Sequence, residues 1–181
     1  MIRPSAAHTM QPRHKSKIAG HANGTASNYP LHGAPGHLLR RCQQRAVEIF
    51  MKEIGTARLT PRQFAILVTL AKRPGITQTE VVAETGIDRS TVGDMVDRLV
   101  RRGLVRRRRS GRDQRANTLA ILPAGLKLVR AAVPAVDRAQ ERIMQPLPPA
   151  LRESFLTALR LMAEADSPAP ASRDPGGRRR T

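Results

Sequence analysis

The chain has 181 residues, with 32 Lys plus Arg against 14 Asp plus Glu, a formal charge of +18. That length suits one domain with tails, and no run nears the roughly 18 apolar residues of a membrane span, so no membrane association is expected. The lone Cys42 excludes a disulfide framework and a multi-cysteine zinc site, and the few aromatics (Tyr29, Phe50, Phe64, Phe155) argue against stacking platforms for single strands, while the charge calls for a polyanion.

Residues 1–36 carry Arg3, Arg13, Lys15 and Lys17 and no acid. They lack apolar periodicity and read as a disordered basic arm over 1–35. They hold no apolar core of a secretory signal, so the chain is expected in the cytoplasm, with Met10 a second candidate start. From His37 to Ile54 the residues Leu38, Leu39, Cys42, Ala46, Ile49 and Phe50 recur at helical steps, an amphipathic helix that Gly55 ends.

Thr60-Pro61-Arg62-Gln63 then combines a cap, a first-turn proline and a reciprocal partner. It predicts a helix with Phe64, Leu67, Val68 and Ala71 inward, stopped by Arg73-Pro74-Gly75. Thr77-Gln78-Thr79-Glu80 repeats the signature for a short helix to about Thr85. Gly86 turns the chain and Asp88 caps the next helix. Its inner stripe is Val92, Met95, Val96 and Leu99; Ser90, Asp94, Asp97, Arg98 and Arg101 face outward. Gly103 ends it. Two short helices about a glycine turn form a helix-turn-helix pattern.

Leu104 to Arg109 and Arg115 to Leu122 read as two strands about the turn Ser110 to Gln114. Residues 101–115 hold eight arginines against Asp113 alone. An arginine-tipped hairpin directly after a helix-turn-helix is a winged helix. A longer helical stretch follows, with Leu126, Val129, Val133, Val136, Ala139 and Ile143 on one stripe; Pro134 should kink or split it. Pro146 to Pro149 breaks the chain before a last helix, about Ala150 to Glu164, with Leu151, Phe155, Leu156, Leu159 and Met162 inward. Residues 166–181 read as a disordered tail.

The segment Leu59 to Gly125 resembles the MarR family of bacterial winged-helix transcription regulators. The matching pieces are Leu59 to Phe64, Thr77 to Glu80, Asp88 to Val92, Asp97-Arg98-Leu99, Gly103-Leu104-Val105, and the wing signature Asp113-Gln114-Arg115 with Leu122 and Gly125. The order of elements agrees over residues 36–165. Pro123 stands where the family usually has Thr, and Gly93 and Asp94 replace a frequent Thr and a polar or basic residue. The fold class so implied is mainly α with a small β wing. A DNA-binding core over 59–122 is flanked by dimerisation helices at 36–55 and 123–165.

The resemblance implies a homodimer on double-stranded DNA, reading a pseudo-palindrome with half-sites about one helical turn apart. Ser90, Thr91 and Arg98 are the candidates for major-groove contact, with Asp94 beside them and Arg89 at the helix start. An acid at Asp94 suits acceptance from cytosine N4 or the orienting of an arginine. Thr77, Gln78 and Thr79 lie at a helix N-terminus and suit phosphate, a role compatible with capping by Thr77. Arg112 is the candidate for the minor groove; Asp113 and Arg115 resemble a pair that shapes the wing or contacts DNA. Effectors in the family, often aromatic acids or related anions, bind between the dimer region and the winged domain. His37, Arg40, Arg41 and Gln44 are candidates for that site, or a solvated face.

Cys42 allows a small core residue or a redox sensor, since one branch of the family senses peroxide through its first helix. No catalytic constellation, metal site or cofactor motif is found, and all five His lie at or before residue 37. The expected function is a ligand-responsive, sequence-specific repressor. An architectural protein coating DNA non-specifically, a Cys42 redox regulator and a winged-helix protein-interaction module stand as alternatives.

Overall fold

The computed structural model describes residues 29–109 and 117–165. It divides into two units, Met1–Leu39 and Arg40–Thr181. In the first, Leu31–Gly33 forms a 3-10 turn and helix α1 (Pro35–Ile54) begins. Residues 31–33 and 35 of the expected arm are therefore helical. The turn closes its own backbone, Gly33 N donating to Pro30 O and Ala34 N to Leu31 O, both at 3.1 Å. The expectations for the rest of the arm, for residues 110–116 and for the C-terminal tail lie outside the described residues.

In the second unit α1 buries only Phe50 and Ile54. Its expected apolar stripe is covered at the C-terminal end alone. Ala46 and Ile49 are half-buried, while Cys42 is exposed and so is no core residue of this chain.

Helix α2 (Pro61–Lys72) starts as its sequence dictates. Gln63 N donates to Thr60 Oγ1 and Thr60 N to Gln63 Oε1, each at 3.2 Å. Its inner side is rotated from the expected one. Leu67 is fully buried as predicted, but Ile66 and Leu70 join it, while Phe64, Val68 and Ala71 are only half-buried. A helix covered by α5 on one side and by the sheet and its successor helix on the other has no single apolar stripe to read.

A two-residue strand, β1 (Ile76–Thr77), precedes α3 (Gln78–Thr85) and was not legible in the sequence. It exists through pairing with β3 (Asn117–Ile121), Ile76 opposite Leu119 and Thr77 opposite Thr118. After α4 (Arg89–Arg101), strand β2 (Val105–Arg109) pairs with the other edge of β3, Val105 opposite Ile121 and Arg107 opposite Leu119. The sheet is antiparallel in the order β1-β3-β2.

Leu59, Ile66, Leu67, Leu70, Val81, Val92, Val96, Leu99, Val105 and Leu119 are the fully buried centre. Each such side chain contributes roughly 1.5–3 kcal/mol by leaving water. Met95, expected inward, is half-buried instead.

Helix α5 (Pro123–Met144) runs through Pro134 without a break, so the expected split does not occur. Proline removes one amide bond, and Ala132 and Val136, buried on either side of it, hold both halves to the core. Helix α6 (Pro149–Glu164) buries none of its residues. Leu151, Leu156 and Met162 are exposed, and Phe155 and Leu159 half-buried. Among the described residues the stripe expected to face inward is covered only in part, at Phe155 and Leu159.

Gly125 fixes how α5 meets the sheet. A Cβ there would collide with the Leu104 carbonyl oxygen and lie 2.7 Å from Ile121 Cγ1. Backbone cannot yield as a flexible side chain can, so Gly125→Ala should destabilise by about 1–3 kcal/mol. Urea unfolding should give a lower midpoint with an unchanged slope; an unchanged midpoint would disprove the close approach.

Candidate nucleic-acid interface and the cavity behind it

The two helices that present the candidate DNA contacts are fixed by local caps. At α3, Thr77 Oγ1 accepts from Glu80 N at 3.2 Å, and Glu80 Oε2 accepts from Thr77 N at 2.8 Å. Arg73, at the end of α2, holds Glu80 at 3.0 Å and also pairs with Glu84. Gly86 takes the left-handed conformation, φ 64°, that turns the chain from α3 toward α4.

At α4, Asp88 Oδ1 accepts from Thr91 N at 2.8 Å and from Ser90 Oγ at 2.7 Å. The Ser90 hydroxyl first, then the hydroxyl and amide of Thr91, hold the Asp88 carboxyl far below its ordinary range. It therefore stays ionised at the positive end of the helix. Ser90 and Thr91 were candidates for base contact; both lend their hydroxyls to this cap.

The expected outer face is found. Arg89, Ser90, Asp94, Asp97, Arg98 and Arg101 are all exposed. Asp97 is committed inside the fold, pairing with Arg107 Nη2 at 2.8 Å and so tying α4 to β2. Among the described residues Asp94 and Arg98, one turn apart, have no ion partner. Thr79 is exposed, and Thr77 and Gln78 are half-buried at the start of α3. Arg112 and Arg115 lie outside the described residues.

Behind this face is a cavity of about 580 Å³. Ala46, Val47 and Phe50 of α1, Met95 of α4 and Ile143 of α5 give it apolar walls, and Gln43, Arg62 and Gln140 bring polar groups. His37, Arg40, Arg41 and Gln44 do not line it. The face of α1 toward the cavity carries residues 43, 46, 47 and 50. His37 instead meets His32 edge to face in the first unit, with ring centroids 5.8 Å apart. Gln44 Nε2 donates to Glu48 Oε1 at 3.3 Å. Arg40 and Arg41 are exposed.

Sequence reasoning also missed the brace between α1 and α5. Glu53, with a side chain only 12% exposed, accepts from Arg138 Nε at 3.2 Å and from Arg142. The only signal was two arginines at a four-residue spacing, with their partner far away in sequence.

A winged helix-turn-helix whose second helix offers acid and arginine to solvent defines a DNA-binding regulator. Comparison with known proteins agrees, a MarR-family model matching residues 59–116. The chain is 31% identical over 149 residues to the HTH-type transcriptional repressor NicR of Pseudomonas putida, covering 78% of this chain and 94% of that protein. Among solved structures it is similar to BpsR of Bordetella bronchiseptica, whose DNA binding is regulated by 6-hydroxynicotinic acid. The TM-score there is 0.71 and the identity 32%, over 75% of this chain and 98% of that one. CouR, solved bound to a 23-mer DNA duplex, gives a TM-score of 0.67 and 34% identity over 74% and 94%. This chain belongs to the MarR family of transcription regulators.

The Glu53 brace should register in acid. Hydrogen bonds from Arg142 and then Arg138 lower the Glu53 pKa below its ordinary 4.5. A depressed carboxylate contributes stability that is full above 4.5 and lost as pH falls through the folded value. Melting temperatures from pH 7 to pH 3 should therefore show Glu53→Gln below wild type at neutrality, the two converging at the acid end. Parallel curves would exclude the brace as a source of the acid sensitivity.

Proposed function

We propose that the chain is a homodimeric repressor that holds a pseudo-palindromic DNA site and releases it when a small aromatic acid fills the 580 Å³ cavity. The observation that carries this is the cavity's place: Met95 of the DNA-facing helix forms one wall and α1 and α5 form others. A ligand there touches both the candidate reading head and the helices that would join two subunits. Apolar walls suit an aromatic ring, and the Arg62 guanidinium suits a carboxylate. NicR is a repressor and BpsR responds to an aromatic acid, which supports the same reading here.

The dimer is supported by the bare apolar faces of α1 and α6. Val47, Met51, Leu151, Leu156, Leu161 and Met162 are each at least 39% exposed in the single chain. Sedimentation at micromolar concentration should find a dimer; a monomer that still binds a palindrome tightly would overturn this part.

The effector is tested with 6-hydroxynicotinic acid as the probe, by calorimetry and by release of bound DNA. Binding should release DNA, and Arg62→Gln should weaken it by about tenfold, the loss of one charge-assisted contact. Failure of any related aromatic carboxylate to bind would remove the ligand class.

Sequence-specific reading is tested against the architectural alternative that the +18 charge favours. Arg98→Ala should cost about 1–3 kcal/mol on the preferred site and much less on scrambled DNA. Arg112→Ala, in the segment joining β2 to β3, should weaken both. Equal losses on both DNAs for both variants would favour a non-specific coat.

A further inference from the structure

Gly93 lies in the middle of α4, one residue before Asp94, where glycine weakens a helix relative to alanine. Nothing in the fold requires it. Its φ is not in the left-handed region, and a Cβ at this position would touch a single atom, Gln78 Nε2, at 3.4 Å. The side chain of Gln78 therefore lies over the flank of α4 at the one position where α4 has no side chain.

Gln78 is the first residue of α3 and is half-buried. Among the described residues its amide makes no hydrogen bond to the protein, so its donors and acceptor remain available. Thr77 beside it is spent on the cap. A phosphate contact needs donors only, whereas an amide held against the reading helix presents a donor and an acceptor together. That pair matches the N6 and N7 edge of adenine in the major groove.

We propose that Gln78 is a base-reading residue for adenine, acting from α3 across the gap left by Gly93, and not a phosphate anchor. The inference rests on the reading of this chain as a sequence-specific DNA binder. It adds a fourth reader to Asp94, Arg98 and Arg89, and it makes Gly93 a determinant of specificity without a side chain of its own.

The experiment selects duplexes from a randomised library with the full chain, then measures binding of variants to the selected site, to each single-base change in it and to scrambled DNA. Gln78→Ala should lose roughly tenfold to a hundredfold on the selected site and little on scrambled DNA. Its preference should relax at one A·T pair per half-site.

Gly93→Ala, which fits the space, should fold with a Tm at or above wild type. Gly93→Thr, whose branches displace the amide, should also fold but lose the preference at the same base pair. Adding it to Gln78→Ala should cost nothing more at that pair. Equal loss by Gln78→Ala on selected and scrambled DNA, with a salt slope smaller by about one unit, would make Gln78 a phosphate contact and overturn the proposal. Additive losses in the double variant would overturn the role of Gly93. A library that yields no preferred sequence would refute sequence-specific reading itself, and this inference with it.

Discussion

Helix α4, the sheet and the long helix α5 are joined at one residue, Leu104. Its N–H donates to Leu99 O at 3.0 Å, closing the end of α4. Its carbonyl accepts from Leu122 N at 2.9 Å and lies where only a glycine, Gly125, lets α5 approach. The side chain is buried as well. Leu104 thus links α4 directly to the helix that carries the interhelical brace. A shift in α5 must move α4 or break this knot, because close-packed interiors transmit displacement. The Asp97–Arg107 pair repeats the connection one layer outward, tying α4 to β2 by charge.

The acids of the outer face make sense only once their duties are separated. A chain of +18 that meets a polyanion gains nothing from carboxylates on and around α4 unless each has a task. Asp88 is consumed by the cap, and Asp97 by Arg107. Glu80, near the start of α3, is held by Arg73 and Thr77. Among the described acids of this face, Asp94 alone remains without such a duty. An uncompensated acid lowers affinity for every DNA, so it is tolerable where it is answered by a donor on a base edge. In the sequence-specific reading proposed above, that cost to general affinity becomes discrimination between sequences.

What was legible in the sequence was local. Thr60, Thr77 and Asp88 announced their caps because a cap involves residues three apart, and all three are found. The outer face of α4 followed from its period, since that helix keeps one side open to solvent. The inner side of α2 was misread because packing on several sides erases the period, leaving Ile66 and Leu70 unmarked. Strand β1 could not be read, as two residues have no pattern and become a strand only against Leu119 and Thr118. The α1–α5 brace joins positions 85 and 89 residues apart, beyond any spacing rule. The α1 candidates His37, Arg40, Arg41 and Gln44 are not among the residues lining the cavity: charge marked Arg40 and Arg41, while the wall is built from less conspicuous Gln43, Ala46 and Val47.

The two flanks of α4 now acquire opposite meanings. Met95 belongs to the cavity wall, and Gly93, two residues away, belongs to the contact with Gln78 of α3. Two residues span about 200° around a helix, so the cavity and the Gln78 contact press on nearly opposite sides of one rod. Val92, Val96 and Leu99 pin its third side to the core. Along that pinned edge α4 can roll but cannot readily lift, since lifting would expose three fully buried side chains. In the function proposed above, a ligand bearing on Met95 would be met by a roll of α4 toward α3. That motion changes the seat of the Gln78 amide and turns Asp94 and Arg98 together, because they share the rigid helix. Under that proposal the cavity, lined by none of Gln78, Asp94 and Arg98, would act on all three through the rotation of a single element.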